Sequence, residues 1–164
     1  MDKLYLDRTE IPGNTVLIVS NAEIINTGTT LYSMPVSCKN AEYERYAKEY
    51  DIHFLFDDSL PHPNFYTVPQ ADIFATDSKG GYWCSIGETF DREQAVYYID
   101  GNHNCYLAME SAAHFIAVPE ARYETLIPYT GIEFFQTREE ANAKYDLFGS
   151  EALQNLKKQA IRET

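Results

Sequence analysis

The side chains of this chain that could most readily bind a metal or catalyse a reaction are histidines near carboxylates. His53, Asp57, Asp58 and His62 lie within ten residues of one another. Imidazole and carboxylate groups are the ligands of zinc and of other divalent metals. Their spacing matches no closed zinc pattern, and His53 alternates with apolar residues in a predicted strand. We therefore interpret them as loop acids and solvated histidines, and we expect no metal site.

A thiol–imidazole pair is a second chemical option. Cys84 or Cys105 could combine with His103 or His114. Both cysteines fall in predicted strands, on the side expected to face the core. Because a reactive cysteine needs partial exposure and positive surroundings, we expect both thiols to be buried and structural.

Sequence motifs for catalysis give no further support to an enzyme. Ser85 lies two residues before Gly87, but a nucleophile elbow requires a second glycine where Trp83 stands. The chain has neither a P-loop nor a Gly-x-Gly-x-x-Gly sequence. We expect a non-enzymatic protein without a cofactor. The alternatives are a small hydrolase that uses carboxylates or a Cys–His pair, and a structural assembly subunit.

Acidic residues dominate the middle of the chain. The 164 residues carry a net charge of −12, and residues 51–120 hold eleven acids with only Lys79 and Arg92 as bases. Nucleic-acid backbones and anionic membranes bind basic surfaces, so we expect neither as a partner. An acidic field would attract a basic protein and speed the encounter. The alternative is that these acids only keep the protein in solution.

We expect partner binding through acids in the predicted loops and turns, with one tryptophan as an anchor. An aromatic ring beside charged groups is typical of interface hot spots. The alternative for Trp83, Tyr97 and Tyr98 is packing between the sheet and a helix, since large aromatic residues are mostly buried. The candidate partner-binding residues are Asp57, Asp58, Asp77, Trp83, Glu88, Asp91, Glu93 and Asp100.

Two predicted β-hairpins position most of these residues. Alternating apolar residues and glycine-rich or polar turns predict their strands. Ser111 is the predicted N-cap of a short helix that ends near Pro119. The four strands are predicted over residues 72–76, 82–86, 96–100 and 105–109.

The remaining chain predicts further strands and helices around these hairpins. Asn40 caps a predicted helix over 40–50. Thr137 with Glu140 forms a capping box before another helix that runs to about Leu147, with Gly149 as a suitable C-terminal glycine. A turn is predicted at 12–14 and a buried strand at 15–20. We therefore expect one α+β domain over residues 1–164, with an antiparallel sheet of about five to six strands and helices packed on one side.

Residues 72–118 resemble the second half of SUKH-superfamily domains, the SMI1/KNR4-like proteins. The similarity covers a Gly-Gly hairpin with aromatics, a Val-Tyr-Tyr-Ile strand, a Tyr-Leu-Ala-Met strand and the helix Glu-Ser-Ala-Ala-His-Phe-Ile. Ser111, Phe115 and Ile116 match the Ser-aromatic-x-x-Phe-hydrophobic helix of that family loosely. The first half departs from the family, because Leu60-Pro61 is followed by His62-Pro63, which cannot continue a helix.

The resemblance implies a function as well as a fold. Many SUKH members are bacterial immunity proteins that neutralise nuclease toxins, and some eukaryotic members are regulatory scaffolds. An acidic face that mimics nucleic acid would block the basic surface of such a toxin. The resemblance thus implies a protein-binding role, and a basic toxin nuclease domain as the partner.

The compartment is predicted from the cysteines and from the lack of long apolar segments. Cys38, Cys84 and Cys105 form no close pair, which is typical of a reducing compartment. The N-terminal residues contain no apolar run, and no segment approaches the length of a membrane span. We expect a cytoplasmic protein. The sequence indicates no particular oligomeric state.

Overall fold

The chain folds as an α+β protein with one large sheet and two smaller ones. The computed structural model describes residues 2–11, 15 and 21–163, the last five as backbone only. The predicted turn at 12–14 and most of the predicted strand at 15–20 lie outside the described residues. Within the described part, no helix has the length and apolar character to cross a lipid bilayer.

Eleven strands and four α-helices make up the described secondary structure, with 3-10 turns at Val36–Cys38 and Pro119–Ala121. The strands are β1 (Asp2–Asp7), β2 (Ala22–Thr27), β3 (Thr29–Leu31), β4 (His53–Phe54), β5 (Tyr66–Val68), β6 (Ala71–Thr76), β7 (Tyr82–Ile86), β8 (Val96–Ile99), β9 (Cys105–Met109), β10 (Ile127–Pro128) and β11 (Glu133–Phe135). The helices are α1 (Ala41–Tyr50), α2 (Ala112–Ala117), α3 (Arg138–Tyr145) and α4 (Ser150–Glu163).

The two predicted hairpins form the centre of the large sheet. Its strand order is β10-β9-β8-β7-β6-β3, and β4 pairs with β6 beside β3. The bounds of β7 and β9 are those predicted. The sheet is mixed instead of purely antiparallel, because β3 runs parallel to β6. The smaller sheets are a parallel β1–β2 pair and an antiparallel β5–β11 pair.

Both faces of the large sheet are covered by apolar side chains. Helices α1 and α2 pack on the face that carries Phe74, Trp83 and Val96. The other face carries Ile73 and Cys84 and is covered by residues that neighbour β5, β10 and β11. Helix α3 lies beyond that layer and packs with β5 and β11 in a third apolar cluster. The expectation of helices on one side therefore holds for α1 and α2 but not for α3.

One buried carboxylate and a partly exposed ion pair fasten the first strand to the C-terminal helices. The carboxylate of Asp7 is fully buried and accepts a hydrogen bond from the Arg138 guanidinium. Arg138 also reaches Glu10 at 3.4 Å. Glu10 in turn accepts the backbone N–H of Ser150 at 3.0 Å, at the start of α4. Removing Arg138 would leave the buried Asp7 carboxylate without its charged partner, so the pair holds β1 on α3.

Helix α3 begins where predicted and ends earlier. The Thr137 hydroxyl accepts the Glu140 N–H at 3.2 Å, which confirms the predicted N-cap. The helix ends at Tyr145 because Asp146 adopts a left-handed conformation, with φ of 53°. Gly149 is therefore not the helix terminus. It lies against the end of the Glu10 side chain, which would have to move to admit a Cβ at this position.

A buried carboxylate organises the loop between β6 and β7. Asp77 is only 8% exposed and accepts the N–H groups of Lys79 and Gly81 through one oxygen. Its other oxygen accepts the hydroxyls of Tyr98 at 2.5 Å and Tyr123 at 2.8 Å. Four donors thus converge on one side chain, and they join the hairpin turn to β8 and to the segment after α2.

This network predicts that removing the Asp77 carboxylate lowers the unfolding free energy more than removing the carboxylate of another hairpin turn. The variant Asp77→Ala should lose about 3 kcal/mol of unfolding free energy, because buried donors lose a charged acceptor. The variant Asp100→Ala is the matched control. Asp100 accepts the Asn102 and Asn104 N–H groups in the neighbouring hairpin turn, but near solvent, and its removal should cost about 1 kcal/mol. Urea denaturation measures both values, and equal losses would contradict the organising role of Asp77.

Candidate functional site

A groove beside α1 is lined almost entirely by apolar and aromatic side chains. Its cavity volume is about 370 Å³. We call it the aromatic groove. Its lining residues are Tyr32, Met34, Asn40, Glu42, Tyr43, Tyr46, Phe54, Phe74, Phe90 and Ile116.

A second and more polar concavity adjoins the aromatic groove along α1. It has a volume of about 640 Å³. Asn40, Tyr43 and Phe54 belong to the walls of both concavities, so Tyr43 stands between them. Lys39 and Leu60 line the outer part of the second one. Together the two concavities, on adjacent sides of α1, form an extended depression.

Exposed apolar side chains gather around this depression. Among the described residues, five large apolar side chains are exposed, and three of them are Tyr32 at 41%, Val36 at 46% and Leu60 at 41%. Tyr32 lines the aromatic groove, Leu60 lines its neighbour, and Val36 lies in the 3-10 turn between Met34 and Lys39. A concentration of exposed apolar surface is typical of a protein-binding site.

The N-terminal end of α1 forms one wall of the aromatic groove. The Asn40 side chain accepts the N–H groups of Glu42 and Tyr43 at 3.0 and 3.1 Å, which confirms the predicted N-cap. The Tyr43 ring then contacts Phe54 and Phe56 edge-on, at centroid distances of 5.4 and 5.5 Å. These contacts fix the ring that separates the two concavities.

The opposite wall is Phe90, which lies in the loop between β7 and β8. Its ring stacks on Phe74 at 4.2 Å and contacts Tyr32 at 5.1 Å. Its backbone N–H donates to the buried Asp72 carboxylate at 2.8 Å, and the Thr30 hydroxyl donates to the other oxygen of that group at 2.7 Å. A carboxylate inside the protein therefore sets the position of a loop at its surface.

Five of the predicted acids lie in segments that border the aromatic groove. Asp57 accepts the Ser33 hydroxyl at 2.5 Å and donates its own N–H to the Met34 carbonyl, so it adjoins the Tyr32–Met34 wall. The loop that carries Phe90 contains three more acids. We define the acidic rim as Asp57, Asp58, Glu88, Asp91 and Glu93, all exposed.

Most of the acidic rim lacks a basic partner. Asp58 is bound to Lys39 at 2.8 Å, and this hydrogen bond lowers the pKa of the Asp58 carboxyl. Among the described residues, no lysine or arginine lies within ion-pair distance of the other four rim carboxylates. Their charge is therefore available to an approaching cation.

Two of the predicted partner-binding residues are buried instead of exposed. Trp83 is 0% exposed, and its ring packs against Tyr98 at 4.5 Å and Phe115 at 5.0 Å. Placing Trp83 as a surface anchor was wrong, because β7 is a central strand and this ring faces α2. Asp77 is likewise buried, and its oxygens are occupied by Tyr98, Tyr123 and backbone donors. The alternative, packing between sheet and helix, is confirmed for Trp83 and Tyr98.

Asp100 is exposed to some extent but lies away from the aromatic groove. Strand β8 begins at the loop that carries Phe90 and ends at the Asp100 turn, so the two lie at opposite ends of the sheet. Although partial burial acts against it, hydrogen bonds from Asn104 and Asn102 hold the pKa of Asp100 below its usual value. Its role is to shape the turn. The predicted acids therefore do not form one common face.

The two cysteines considered for a thiol–imidazole pair lie in the protein core. Cys84 and Cys105 are buried, as predicted, and burial raises both thiol pKa values, that of Cys105 to about 12. The Asp51 carboxylate binds the His53 ring at 2.8 Å and the Ser78 hydroxyl at 2.6 Å. The Asp51 carboxylate thus lies between the Ser78 hydroxyl and the His53 imidazole. In this arrangement the imidazole does not accept the proton of the serine.

A metal site would require several of these imidazole, thiol and carboxylate groups to converge. Among the described side chains of residues 2–11, 15 and 21–158, no three from His, Cys, Asp or Glu group as metal ligands.

Sequence reasoning missed the aromatic half of the site. Phe90 is an isolated aromatic residue in an otherwise polar connection, and this was the available signal. Tyr43 packs on Phe54, and its ring also lines open space. Tyr32 and Phe90 are brought together by strand pairing between distant parts of the chain. A local sequence pattern does not contain that information.

Comparison with known proteins assigns no family to this arrangement: no protein-family model matches the chain, and no curated protein or solved structure matches it.

The tether between Asp72 and Phe90 can be tested by amide hydrogen exchange. The variant Asp72→Ala should speed exchange of the Phe90 amide about tenfold, because a hydrogen bond to a charged acceptor contributes about 1.5 kcal/mol or more. The variant Asp72→Asn keeps one oxygen acceptor and should exchange nearly as slowly as the wild type. Equal Phe90 exchange in all three proteins would show that the stack on Phe74 alone holds the loop.

Burial also makes Asp72 a source of pH dependence. Burial raises the pKa of this carboxyl above 3.8, its usual value. The contribution of Asp72 to stability is therefore fully present below about pH 3.8 and is lost as the pH rises through the higher folded-state pKa. The variant Asp72→Asn carries no such group. Its unfolding free energy, relative to the wild type, should increase between about pH 3 and pH 7, and a constant difference in denaturant titrations would contradict the raised pKa.

Proposed function

We propose that this chain is a non-enzymatic protein-binding domain that takes a basic partner at the aromatic groove. The observation that supports it is a cleft lined by aromatic rings and bordered by five exposed carboxylates, four of which have no lysine or arginine partner among the described residues. Such a cleft suits a partner segment in which a large apolar side chain is flanked by arginine or lysine. The groove supplies the contact area and the acidic rim supplies attraction and orientation.

The two contributions differ in kind. Burying one aromatic side chain of about 200 Å² would contribute roughly 5 kcal/mol before the ordering of both partners is subtracted. The rim charges are exposed, so their main effects are faster association and rejection of acidic competitors. Affinity should thus depend chiefly on the groove, and its salt dependence on the rim.

The SUKH resemblance gives this proposal its most specific form. In that form the chain is a bacterial immunity protein of the cytoplasm, and its partner is a toxin nuclease domain. A nuclease holds the phosphates of its substrate on a basic surface, and the rim carboxylates would occupy that surface. The aromatic groove would add a contact that nucleic acid does not offer, which favours the protein partner over general attraction to cations.

A displayed library of random peptides, about twelve residues long, tests the proposal and does not require the natural partner. Selection on the wild-type chain should enrich peptides that combine arginine or lysine with an aromatic or large aliphatic residue. The triple variant Asp57→Asn, Asp91→Asn, Glu93→Gln should bind them about tenfold more weakly, with a flatter salt dependence. Each substitution keeps a hydrogen-bonding oxygen and removes only charge.

The matched control is Glu23→Gln, Glu124→Gln, Glu139→Gln, which removes three exposed charges elsewhere on the chain. It should bind the selected peptides as the wild type does. Peptides without excess positive charge, or equal weakening by both triple variants, would overturn the proposed binding site.

A further inference from the structure

Helix α4 carries an apolar stripe that the described core does not cover. Its start is fixed, since the Ser150 N–H donates to Glu10 at 3.0 Å. Leu153 is half-buried and Leu156 is 45% exposed, three residues further on the same side of the helix. Among the side chains described up to Lys158, none from α4 belongs to the three apolar clusters.

One cationic side chain borders this stripe. Lys157 lies one turn after Leu153, so the two are neighbours on the helix surface. Lys158, two residues after Leu156 and five after Leu153, lies on the opposite side of the helix. Both lysines are exposed, and neither forms an ion pair with a described residue. Helix α4 thus combines leucine with lysine, in a protein whose net charge is −12.

We propose that the aromatic groove of one copy binds α4 of a second copy. This inference rests on the proposed function, because it uses the same groove and rim. Leu153 and Leu156 supply the apolar side chains that the rings can cover. Lys157 supplies a positive charge beside that stripe for the rim carboxylates, of which only Asp58 has a basic partner among the described residues.

The dimensions suit an amphipathic helix laid in a groove. The 14 residues of α4 form a helix about 21 Å long. The aromatic groove and its neighbour lie on adjacent sides of α1 and share Tyr43, with volumes of about 370 and 640 Å³. The apolar stripe of a helix faces one such depression while the opposite side stays in solvent.

In the proposed dimer the groove of each copy takes the helix of the other, so the contact is isologous and closes at two chains. Each copy offers one groove and one helix, and two copies can satisfy both at once. Self-association would therefore occupy the groove until a basic partner displaces α4. The functional consequence is an occupied site at high protein concentration and an open site at low concentration.

Two variants that each lose one half of the contact give the sharpest test. The helix variant is Leu156→Ser, Lys157→Glu, Lys158→Glu. The groove variant is Tyr32→Ser, Asp57→Asn, Asp91→Asn. In sedimentation equilibrium the wild type should dimerise as its concentration rises, and each variant alone should remain monomeric. An equimolar mixture should form a heterodimer and stop at two chains, because the helix variant keeps its groove and the groove variant keeps its helix.

A charge-matched control is Lys3→Glu, Lys48→Glu, which reverses two exposed lysines outside α4 and should dimerise like the wild type. A wild type that stays monomeric up to about 1 mM would overturn the inference, because a contact that weak would not form at lower concentrations. So would a helix variant that still dimerises, or a mixture that remains monomeric.

Failure here is separable from failure of the proposed function. The helix variant retains its groove, so it should bind the selected cationic peptides at least as tightly as the wild type. Peptide binding without wild-type dimerisation would overturn only the self-association. Dimerisation through α4 without selection of cationic peptides would overturn only the proposed partner.

Discussion

The hydrogen bond from the Phe90 amide to the buried Asp72 carboxylate fixes the wall on which the site depends. Asp72 lies in β6, a strand covered on both faces, and its two oxygens accept from Phe90 and Thr30. The loop after β7 is otherwise polar and exposed. Tethering it at one amide brings the Phe90 ring onto Phe74 and opposite Tyr43, and so leaves an apolar cleft open to solvent.

A buried carboxylate is a costly way to place a loop, and the raised pKa of Asp72 reflects that cost. Its neighbour Asp77 shows the other solution. There two tyrosine hydroxyls and two backbone N–H groups surround the carboxylate, and the result is a rigid hairpin turn and no open cleft. An aspartate thus has two uses in this sheet. Asp77 stabilises a turn at one end, and Asp72 positions a binding surface near the other end.

Local patterns predicted the parts of the fold that local rules control. The strands around Gly80-Gly81 and the caps Asn40, Ser111 and Thr137 depend on turn chemistry and short spacings, and they lie where predicted. The parallel β3–β6 pairing and the strand β2 were not predicted, because they depend on partners far along the chain. Charge counts located the acidic segment of the chain. They did not show that its acidic side chains are distributed among the groove, the hairpin core and the Asp100 turn. That distribution follows from strand direction, which composition does not contain.

A short capped peptide with the sequence Arg-Phe-Arg tests the central claim most directly, through the amide shifts that it causes in the NMR spectrum of the isotope-labelled protein. We expect shifts confined to the amides around Tyr32, Tyr43 and Phe90, and their reduction in the Asp57→Asn, Asp91→Asn, Glu93→Gln protein. Shifts centred on the Asp100 turn, or spread evenly over all exposed acids, would show that the chain attracts cations generally and that the aromatic groove is not a binding site.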